Sequence, residues 1–304
     1  MKTINFMGRR KLAAAISIAL VLMSIAWLAV NQLNWGLDFT GGTLVEVHYS
    51  DSADLNAIRQ TLQGAGHEGA IVVSFGSDKD VLIRLPKGYS DKQGAELLVL
   101  LQESYSDTVE LRRIEFVGPQ VGDELREQGG LAMLLALALV MLYIAFRFQF
   151  KFAVGAVVAL VHDVLITLGF FSVTGLEFDL TVLAALLAVI GYSLNDTIVV
   201  SDRIRENFRK LRRAEPLEVV NISLSETLGR TLVTSFTTLL VLGALALFGG
   251  EIIRGFAIAL IVGVAIGTYS SIYVAANVLL TMGVSKEDLM IPVKEGADQE
   301  ELTP

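Results

Sequence analysis

Six stretches of this chain are almost wholly apolar, and each is about long enough to cross a lipid bilayer as an α-helix. They cover residues 12–30, 131–146, 152–173, 180–201, 231–250 and 255–280. A helix needs about 20 apolar residues to span the hydrocarbon core, and a water-soluble domain rarely carries several such stretches. The pattern therefore predicts an α-helical membrane protein with six transmembrane helices.

The long segment between the first two apolar stretches has a different pattern. Four pieces alternate β-branched and polar side chains, as strands do, and two pieces have the apolar spacing of helices. The strands are 43–49, 70–76, 80–86 and 109–118, and the helices are 52–66 and 90–104. This βαββαβ order predicts a ferredoxin-like domain over residues 31–128. Both helices open on a serine, Ser52 and Ser90, which we expect to be their N-caps.

The distribution of basic residues predicts how the chain lies in the membrane. Lys and Arg collect at the N-terminus, after the second span, in the tail, and in residues 202–230, which hold seven of them. By the positive-inside rule, the cytoplasmic parts are 1–11, the loop 202–229 within the helical region 129–280, and the tail 281–304. The domain 31–128 then lies outside. The first span exceeds the apolar core of a signal peptide, about 7–15 residues, so we interpret it as a retained anchor.

The composition of the chain mainly excludes certain kinds of functional site. The 304 residues are 53% hydrophobic and carry a formal net charge of −8, but the charges lie in separate segments, so the total says little about partners. The chain has no cysteine, which excludes disulfides, thiol nucleophiles and thiolate metal sites. It contains no Walker, dinucleotide-binding or H-E-x-x-H motif. We therefore expect no bound cofactor or metal and no nucleic acid as a partner.

The fourth apolar stretch carries a carboxylate where the pattern predicts a membrane span. Asn195 and Asp196 lie within "IGYSLNDTIVVSD", and helical spacing places Ser193, Asp196, Thr197 and Val200 along one side. A charge inside the hydrocarbon region is costly and usually marks an ion or substrate pathway. Asp196 is therefore a candidate for a group that loads and unloads a cation. The alternative is a helix that ends early and leaves Asp196 among the lipid headgroups.

The fifth apolar stretch offers a basic partner for this carboxylate. The sequence "SLSE" at 223–226 has the form of a capping box. It predicts that the helix begins near Ser223 and that Arg230 lies about two turns inside it. Because spans four and five are consecutive and antiparallel, Arg230 would reach a depth similar to that of Asp196. The alternative is an arginine that extends to the membrane surface and only follows the positive-inside rule.

The third apolar stretch contains His162 and Asp163 near its middle. Such a pair can relay protons, or it can form a hydrogen bond that only packs helices. Asp163 and Asp196 on neighbouring spans also raise the alternative of an intramembrane aspartyl protease. That class of enzyme would want a G-x-G-D-like loop beside one aspartate, and neither aspartate has it. We therefore predict that the protein is not an enzyme.

Two glycine-rich segments flank the outer domain. The first, "WGLDFTGG" (35–42), leads into a predicted strand, whereas a phosphate cradle needs a helix N-terminus to follow it. We therefore expect only a turn that leads the chain out of the membrane. The second, "VGPQVGDELREQGG" (117–130), is predicted to return the chain to the second span.

These segments together resemble the SecF family, whose members are membrane subunits of the SecD–SecF protein-export complex in the resistance–nodulation–division superfamily. The matching stretches are "GLDFTGG", "FVGPQVGDEL", "FRFQFKFAVGAVVALVHDVLITLGFFSVTGLEFDL", "IGYSLNDTIVVSDRIREN" and "ETLGRTLVTSFTTLL". The resemblance implies half of a permease in the bacterial cytoplasmic (inner) membrane, which SecD completes to twelve spans, with a periplasmic outer domain. It also implies association with the SecYEG translocon, with YajC and with the translocating polypeptide.

The resemblance further implies that the SecD–SecF pair uses the ion gradient to promote late translocation and release of secreted proteins. Family roles carry over to Asp196 as the ion-coupling carboxylate and to Arg230 as its partner. Asn195 is a further candidate for the ion-coupling site, since with Ser193 and nearby carbonyls it could complete a sodium shell. His162 and Asp163 lie in matching motifs as a possible relay, and the choice between H+ and Na+ as the coupling ion stays open. The alternative function is an ion-coupled exporter of small molecules or lipids, which would need an apolar cleft in the outer domain.

Overall fold

The structure is a computed structural model that describes residues 3–67, 69–75, 77–85, 91–104, 109–147, 149–211 and 213–285. Its helices are α1 (Arg10–Asn31), α2 (Leu37–Thr40), α3 (Leu55–Gly64), α4 (Asp91–Ser104), α5 (Pro119–Arg147), α6 (Phe150–Thr174), α7 (Leu180–Lys210), α8 (Pro216–Phe248), α9 (Glu251–Ser270) and α10 (Ala276–Thr281). Its strands are β1 (Asn34–Trp35), β2 (Gly42–Tyr49), β3 (Ile71–Phe75), β4 (Ser77–Leu85), β5 (Val109–Val117) and β6 (Glu177–Phe178). A 3₁₀ turn, Met7–Arg9, precedes α1, and a π-helical turn, Ser271–Ala275, joins α9 to α10.

Six helical segments of the described chain are long and apolar enough to cross a membrane, and they coincide with the six predicted spans. One of them is Ile253–Thr281, in which α9, the π-helical turn and α10 are continuous. Helix α6 lies at the centre and packs against α1, α5, α7 and α9. In contrast, most apolar side chains of α1, α5 and α8 remain exposed, as expected of surfaces that lipid or another chain covers.

Two of these helices are longer than the apolar pattern predicts. Helix α7 continues to Lys210 and α8 already begins at Pro216, so most of the predicted loop 202–229 is helical. The prediction that "SLSE" starts a helix is wrong, because Ser223 lies inside α8 and its hydroxyl donates to the Val219 carbonyl at 2.8 Å. The start signal is instead a proline at the first helical position. An apolar pattern identifies the part of a helix that lies in lipid, but it does not identify charged helical turns that continue beyond the apolar stretch.

The domain between α1 and α5 contains a four-stranded antiparallel sheet with the strand order β3–β4–β2–β5. With α3 and α4 as its crossovers, this is the predicted ferredoxin-like arrangement. The alternating inward side chains of the strands bury a core with the two helices. The buried members of that core are Val45, Val47, Tyr49, Ile58, Leu62, Val72, Val81, Ile83, Leu85, Leu97, Leu101 and Val109.

The start of α3 differs from the prediction. The helix begins at Leu55, and the side chain of Asp54 accepts the N–H groups of Asn56 at 2.9 Å and Ala57 at 3.2 Å. Asp54 is therefore the N-cap, and the prediction of Ser52 is wrong. A serine and an aspartate two residues apart are both good caps, so composition alone does not separate them. Ser90 lies outside the described residues.

Helix α9 packs closely on α7 because its contact face consists of small residues. A Cβ atom at Gly263 would collide with Val189, and one at Gly267 would lie 3.0 Å from the Cβ of Ser193. Small residues let the backbones of membrane helices approach each other in this way. Helix α7 is thus held between α6, α8 and α9, and this packing determines which of its faces is buried.

Candidate functional site

The depth of Asp196 and Arg230 in the helix pair follows from the ends of α7 and α8. Asp196 lies 14 residues before the end of α7 at Lys210, and Arg230 lies 14 residues after the start of α8 at Pro216. Each is therefore about 21 Å from the connection between the helices, at a rise of about 1.5 Å per residue. The predicted two turns for Arg230 were too few, but because α7 is longer by a similar amount the two residues lie at matching depths.

The buried face of α7 is the one that the helical spacing predicts. Ser193, Asp196, Thr197 and Val200 are all buried, and Asp196 as a residue keeps only 4% of its surface exposed. Since α7 continues for 14 residues after Asp196, the alternative of a helix that ends early is wrong. Asp196 is a carboxylate in the interior of a long apolar helix.

Asp196 is also short of hydrogen-bond partners. Its Oδ2 is buried and accepts no hydrogen bond from any described residue, and the hydroxyls of Thr197 and Thr231 are likewise buried without a partner there. Buried polar atoms are nearly always paired, and a buried carboxylate is costly unless its charge is compensated or neutralised. These oxygens can therefore accept a proton or bind a small cation.

Arg230 lies on the neighbouring helix α8, at a depth that matches that of this carboxylate. Its guanidinium acts electrostatically on Asp196, but within the described chain the two side chains form no direct ion pair. Arg230 is exposed and lines a cavity of about 260 Å³ between α7 and α8. The other charged residues of its lining are Arg147, Asp202, Arg203, Glu206 and Glu226. The cavity extends from Arg230 along the side chains that lead toward the α7–α8 connection.

Asn195 lies elsewhere. Neighbouring residues of an α-helix point about 100° apart, and while Asp196 faces inward, Asn195 is exposed on the outer surface of α7 in line with Ala188 and Gly191. The structure therefore does not bring Asn195 into the buried site. It places a polar amide on a surface that is otherwise made of small or apolar residues.

His162 and Asp163 form a second polar cluster, at the contact of α6, α7 and α9. The Nδ1 of His162 lies 2.9 Å from Oδ1 of Asp163, and Oδ2 of Asp163 accepts hydrogen bonds from the hydroxyls of Ser193 at 2.6 Å and Ser270 at 2.7 Å. The His162 ring stacks on Tyr269, with ring centroids 6.2 Å apart. The Nε2 of His162 is buried and has no partner among the described residues.

These contacts favour the packing interpretation for Asp163. Both of its carboxylate oxygens are occupied, by His162 on one side and by two serines on the other, so it holds three helices together. A protease dyad needs two carboxylates that share a proton, and Asp163 has no free oxygen to share with Asp196. The free Nε2 of His162 leaves the relay interpretation open for the histidine.

Sequence reasoning missed the polar residues that α9 contributes. Ser270 bonds Asp163, and the hydroxyl of Thr268 lies 2.7 Å from that of Ser235 on α8. The hydroxyl of Tyr269 donates to the Ala13 carbonyl at 2.9 Å. All three lie in the run "TYSS" (268–271), which interrupts an apolar stretch and was the available signal.

Comparison with protein families supports the resemblance in two parts of the chain. Residues 98–285 match the family of the protein export membrane protein SecD/SecF, C-terminal. Residues 26–53 match the SecD/SecF GG motif. The first match includes every candidate ion-site residue, and the second includes the glycine-rich segment 35–42.

Curated relatives match over nearly the whole length. The chain is 51% identical to the protein translocase subunit SecF of Vibrio alginolyticus, over 99% of this chain and 97% of that relative. It is 46% identical to the protein translocase subunit SecF of Escherichia coli O157:H7, over 100% of this chain and 96% of the relative. These are subunits of a translocase, which agrees with the prediction that the protein is not an enzyme.

Solved structures match the fold. The crystal structure of SecDF, a translocon-associated membrane protein from Thermus thermophilus, is similar with a TM-score of 0.83 and 39% identity. The match covers 92% of this chain but only 39% of the SecDF chain, which is therefore much longer. A second SecDF structure, in a super-membrane-facing form, gives a TM-score of 0.71 at 38% identity. Helical bundle, outer domain and sequence agree on one conclusion: this multi-pass membrane protein belongs to the SecF family of protein translocase subunits.

Proposed function

We propose that this Sec translocation accessory subunit is ion-coupled, with Asp196 as the group that takes up and releases the coupling cation. The observation that carries the proposal is the buried Asp196 carboxylate, whose Oδ2 has no partner among the described residues and which feels the charge of Arg230. The proposed mechanism requires only that this site has two states. In one state Asp196 is charged and attracted to Arg230, and in the other it is neutralised by the cation.

The energy available to such a site is sufficient for a conformational switch. One elementary charge that crosses a potential of 100 mV releases about 2.3 kcal/mol, which biases a two-state equilibrium by more than tenfold. Loading Asp196 removes the attraction to Arg230, so α7 and α8 settle in a different packing.

The cavity beside Arg230 supports a route for the cation on one side of the site. It lies between α7 and α8 and has a charged lining, which gives a cation a polar path beside the apolar faces of the helices. The charged residues of this lining are the acidic Asp202, Glu206 and Glu226 and the basic Arg147, Arg203 and Arg230. In the proposed orientation, with both termini in the cytoplasm and the outer domain in the periplasm, the cavity is on the cytoplasmic side of the inner membrane. The cation therefore leaves Asp196 toward the cytoplasm, down its gradient.

A second chain completes the permease. Asn195 and Arg230 are polar and exposed on membrane helices, and such groups are costly against lipid unless a partner covers them. This chain corresponds to 39% of the SecDF chain, so we assign the cover to a SecD-like subunit, and propose that the pair binds the SecYEG translocon, YajC and the translocating polypeptide. Purification from native membranes should recover the larger subunit, whereas an active homomer would contradict this assembly.

Cation flux through the reconstituted pair tests the proposal. Proteoliposomes are given a proton gradient or a sodium gradient of equal size, and flux is compared between wild type and Asp196→Asn. The substitution preserves volume and removes the charge. We expect one of the two gradients to drive flux in wild type and neither to do so in Asp196→Asn. Equal flux in both proteins would refute the role of Asp196.

A further inference from the structure

The glycine-rich segment at the start of the outer domain is attached to the outer end of the membrane helices. Strand β1 pairs in parallel with β6, the short link between α6 and α7, in the register Asn34↔Glu177 and Trp35↔Phe178. The Gly36 N–H donates to the Phe178 carbonyl at 2.8 Å. Residues 34–42 and 177–180 together are called the joint below. The segment 35–42 is thus more than the simple turn that the sequence suggests.

Within the joint, Asp38 binds the first residue of α7. Its Oδ2 accepts the N–H of Leu180 at 2.9 Å, while the side chain of Asp179 accepts the N–H of Val182 at 2.8 Å. The first N–H groups of a helix have no partner inside the helix, and negative charge is favourable at that end. The helix that carries Asp196 is therefore capped in part by a carboxylate that belongs to the outer domain's entry segment.

The packing of the joint leaves little room for its two segments to slide past each other. The ring of Phe178 lies against those of Trp35 at 5.5 Å, Phe39 at 6.0 Å and Phe171 at 6.2 Å between centroids. A Cβ atom at Gly36 would lie 2.8 Å from the Glu177 carboxylate and 3.1 Å from the Cα of Asp179. Gly36 has an ordinary extended backbone, with φ −67 and ψ 169. It is required for this close approach rather than for its conformational freedom.

The joint also reaches the sheet of the outer domain. Arg84 on β4 donates to the Glu177 carboxylate at 2.6 Å, and both side chains are largely shielded from water. Strand β2, which is central in the sheet, begins at Gly42 directly after α2. A shift of the α7 N-terminus therefore acts on two neighbouring strands, β2 through the chain and β4 through the ion pair.

We propose that the joint transmits movement of α7 to the outer domain, with Asp38 and Gly36 as positioning residues and the Arg84–Glu177 pair as the second attachment. This rests on the proposed ion-coupling at Asp196, which lies 16 residues after Leu180 on the same continuous helix, about 24 Å away. A rigid helix carries a displacement over that distance. A loaded or empty Asp196 then corresponds to two positions of the outer domain.

The proposal separates ion flux from its effect on export, and variants of the joint test this separation. The chain is reconstituted with its SecD-like partner, and gradient-driven cation flux and gradient-stimulated export are measured on the same preparation. We expect Asp38→Ala to keep the flux and to lose gradient stimulation of export roughly fivefold or more, the size of an ordinary coupling energy. Asp38→Asn, which keeps an acceptor oxygen for Leu180, restores most of the stimulation.

Two further sets of variants guard against a simple loss of folding. Gly36→Ala is expected to uncouple in the same way, whereas Gly64→Ala in α3, where a Cβ meets nothing within 4 Å, is expected to behave as wild type. Arg84→Glu and Glu177→Arg each weaken stimulation, and the double reversal recovers it because the pair is rebuilt with exchanged charges.

The outcomes distinguish the joint from the ion site. Three results would show that the joint does not transmit movement. The joint variants could keep wild-type stimulation of export, they could lose flux together with stimulation, or the double charge reversal could recover no stimulation. Asp196→Asn serves as the comparison, since it is expected to lose both flux and stimulation. If wild type itself shows no response to a gradient, the ion-coupled function fails, and the joint proposal with it.

Discussion

Among the residues that the structure describes, two aspartates are buried in the membrane helices, and they differ in the number of their partners. Asp163 has His162, Ser193 and Ser270 around its carboxylate, whereas Oδ2 of Asp196 has no partner within the described chain. A carboxylate with every acceptor filled is held in place, and one with a free oxygen is open to a proton or cation. The sequence places both aspartates in spans, but it does not show which of them has a free oxygen, because the serines that bind Asp163 lie on α7 and α9.

The contrast gives a prediction at the residue scale about stability. Asp163→Ala leaves the hydroxyls of Ser193 and Ser270 and the Nδ1 of His162 without their acceptor. We expect a loss of about 2–4 kcal/mol in unfolding free energy, measured as a lower thermal midpoint of the purified protein in detergent. Asp196→Asn is the matched control and should change the midpoint little, since its Oδ2 makes no hydrogen bond to any described residue. Equal midpoints for Asp163→Ala and wild type would show that the cluster does not hold the helices together.

At the scale of elements, the apolar and alternating patterns predicted the six membrane spans and the four strands β2–β5 of the outer sheet. The ends were harder, because helix caps depend on which of several polar residues meets the free N–H groups. For α3 that residue is Asp54 and not Ser52, and α8 begins at Pro216, two turns before the predicted Ser223. The face of α7 was predictable from helical spacing, whereas the outward position of Asn195 depends on how α6, α8 and α9 pack around it.

The corrected cap leads to a prediction for α3. Asp54→Ala removes the acceptor for the N–H groups of Asn56 and Ala57, and loss of an N-cap costs about 1 kcal/mol. Amide hydrogen exchange of α3 in the full chain should therefore become faster by about fivefold. Ser52→Ala is the control, because an exposed side chain away from such contacts changes stability by less than about 0.5 kcal/mol. A larger effect from Ser52→Ala than from Asp54→Ala would restore serine as the cap.

At the scale of the whole molecule, a ferredoxin-like domain and a six-helix bundle meet through the joint. Sequence did not predict this contact, because β1 and β6 pair across residues 34 and 177, and two-residue strands leave no alternating pattern. Two further surfaces are explained only by the surroundings of the whole molecule. The apolar surfaces of α1, α5 and α8 are as expected for helices in a bilayer. The exposed polar residues of α7 and α8 are as expected where a partner subunit covers them.

Orientation in the membrane is the prediction at this scale. The chain has no cysteine, so single substitutions give clean labelling sites in whole cells. Asp78→Cys in the outer domain should react with a membrane-impermeant thiol reagent in intact spheroplasts. Glu215→Cys, in the connection between α7 and α8, should react only after the membrane is permeabilised. The opposite pattern would invert the orientation and place the cavity beside Arg230 on the wrong side for the proposed cation route.

The central claim is that Asp196 carries the coupling cation, with Arg230 as its electrostatic partner. It is tested most directly by export of a secreted reporter, with and without an uncoupler, in cells that depend on this chain. Wild type, Asp196→Asn, Arg230→Ala and the double variant are compared at equal membrane levels. Because the two residues act on one site, the double variant should be little worse than either single change.

A strain that lacks this chain shows how much the uncoupler slows export by other routes. Beyond that effect, we expect the uncoupler to slow export in wild type. In Asp196→Asn and Arg230→Ala the basal rate should already be low, and the uncoupler should reduce it no further than in that strain. If export by Asp196→Asn instead proceeds at the wild-type rate and responds to the uncoupler as wild type does, Asp196 does not carry the coupling cation.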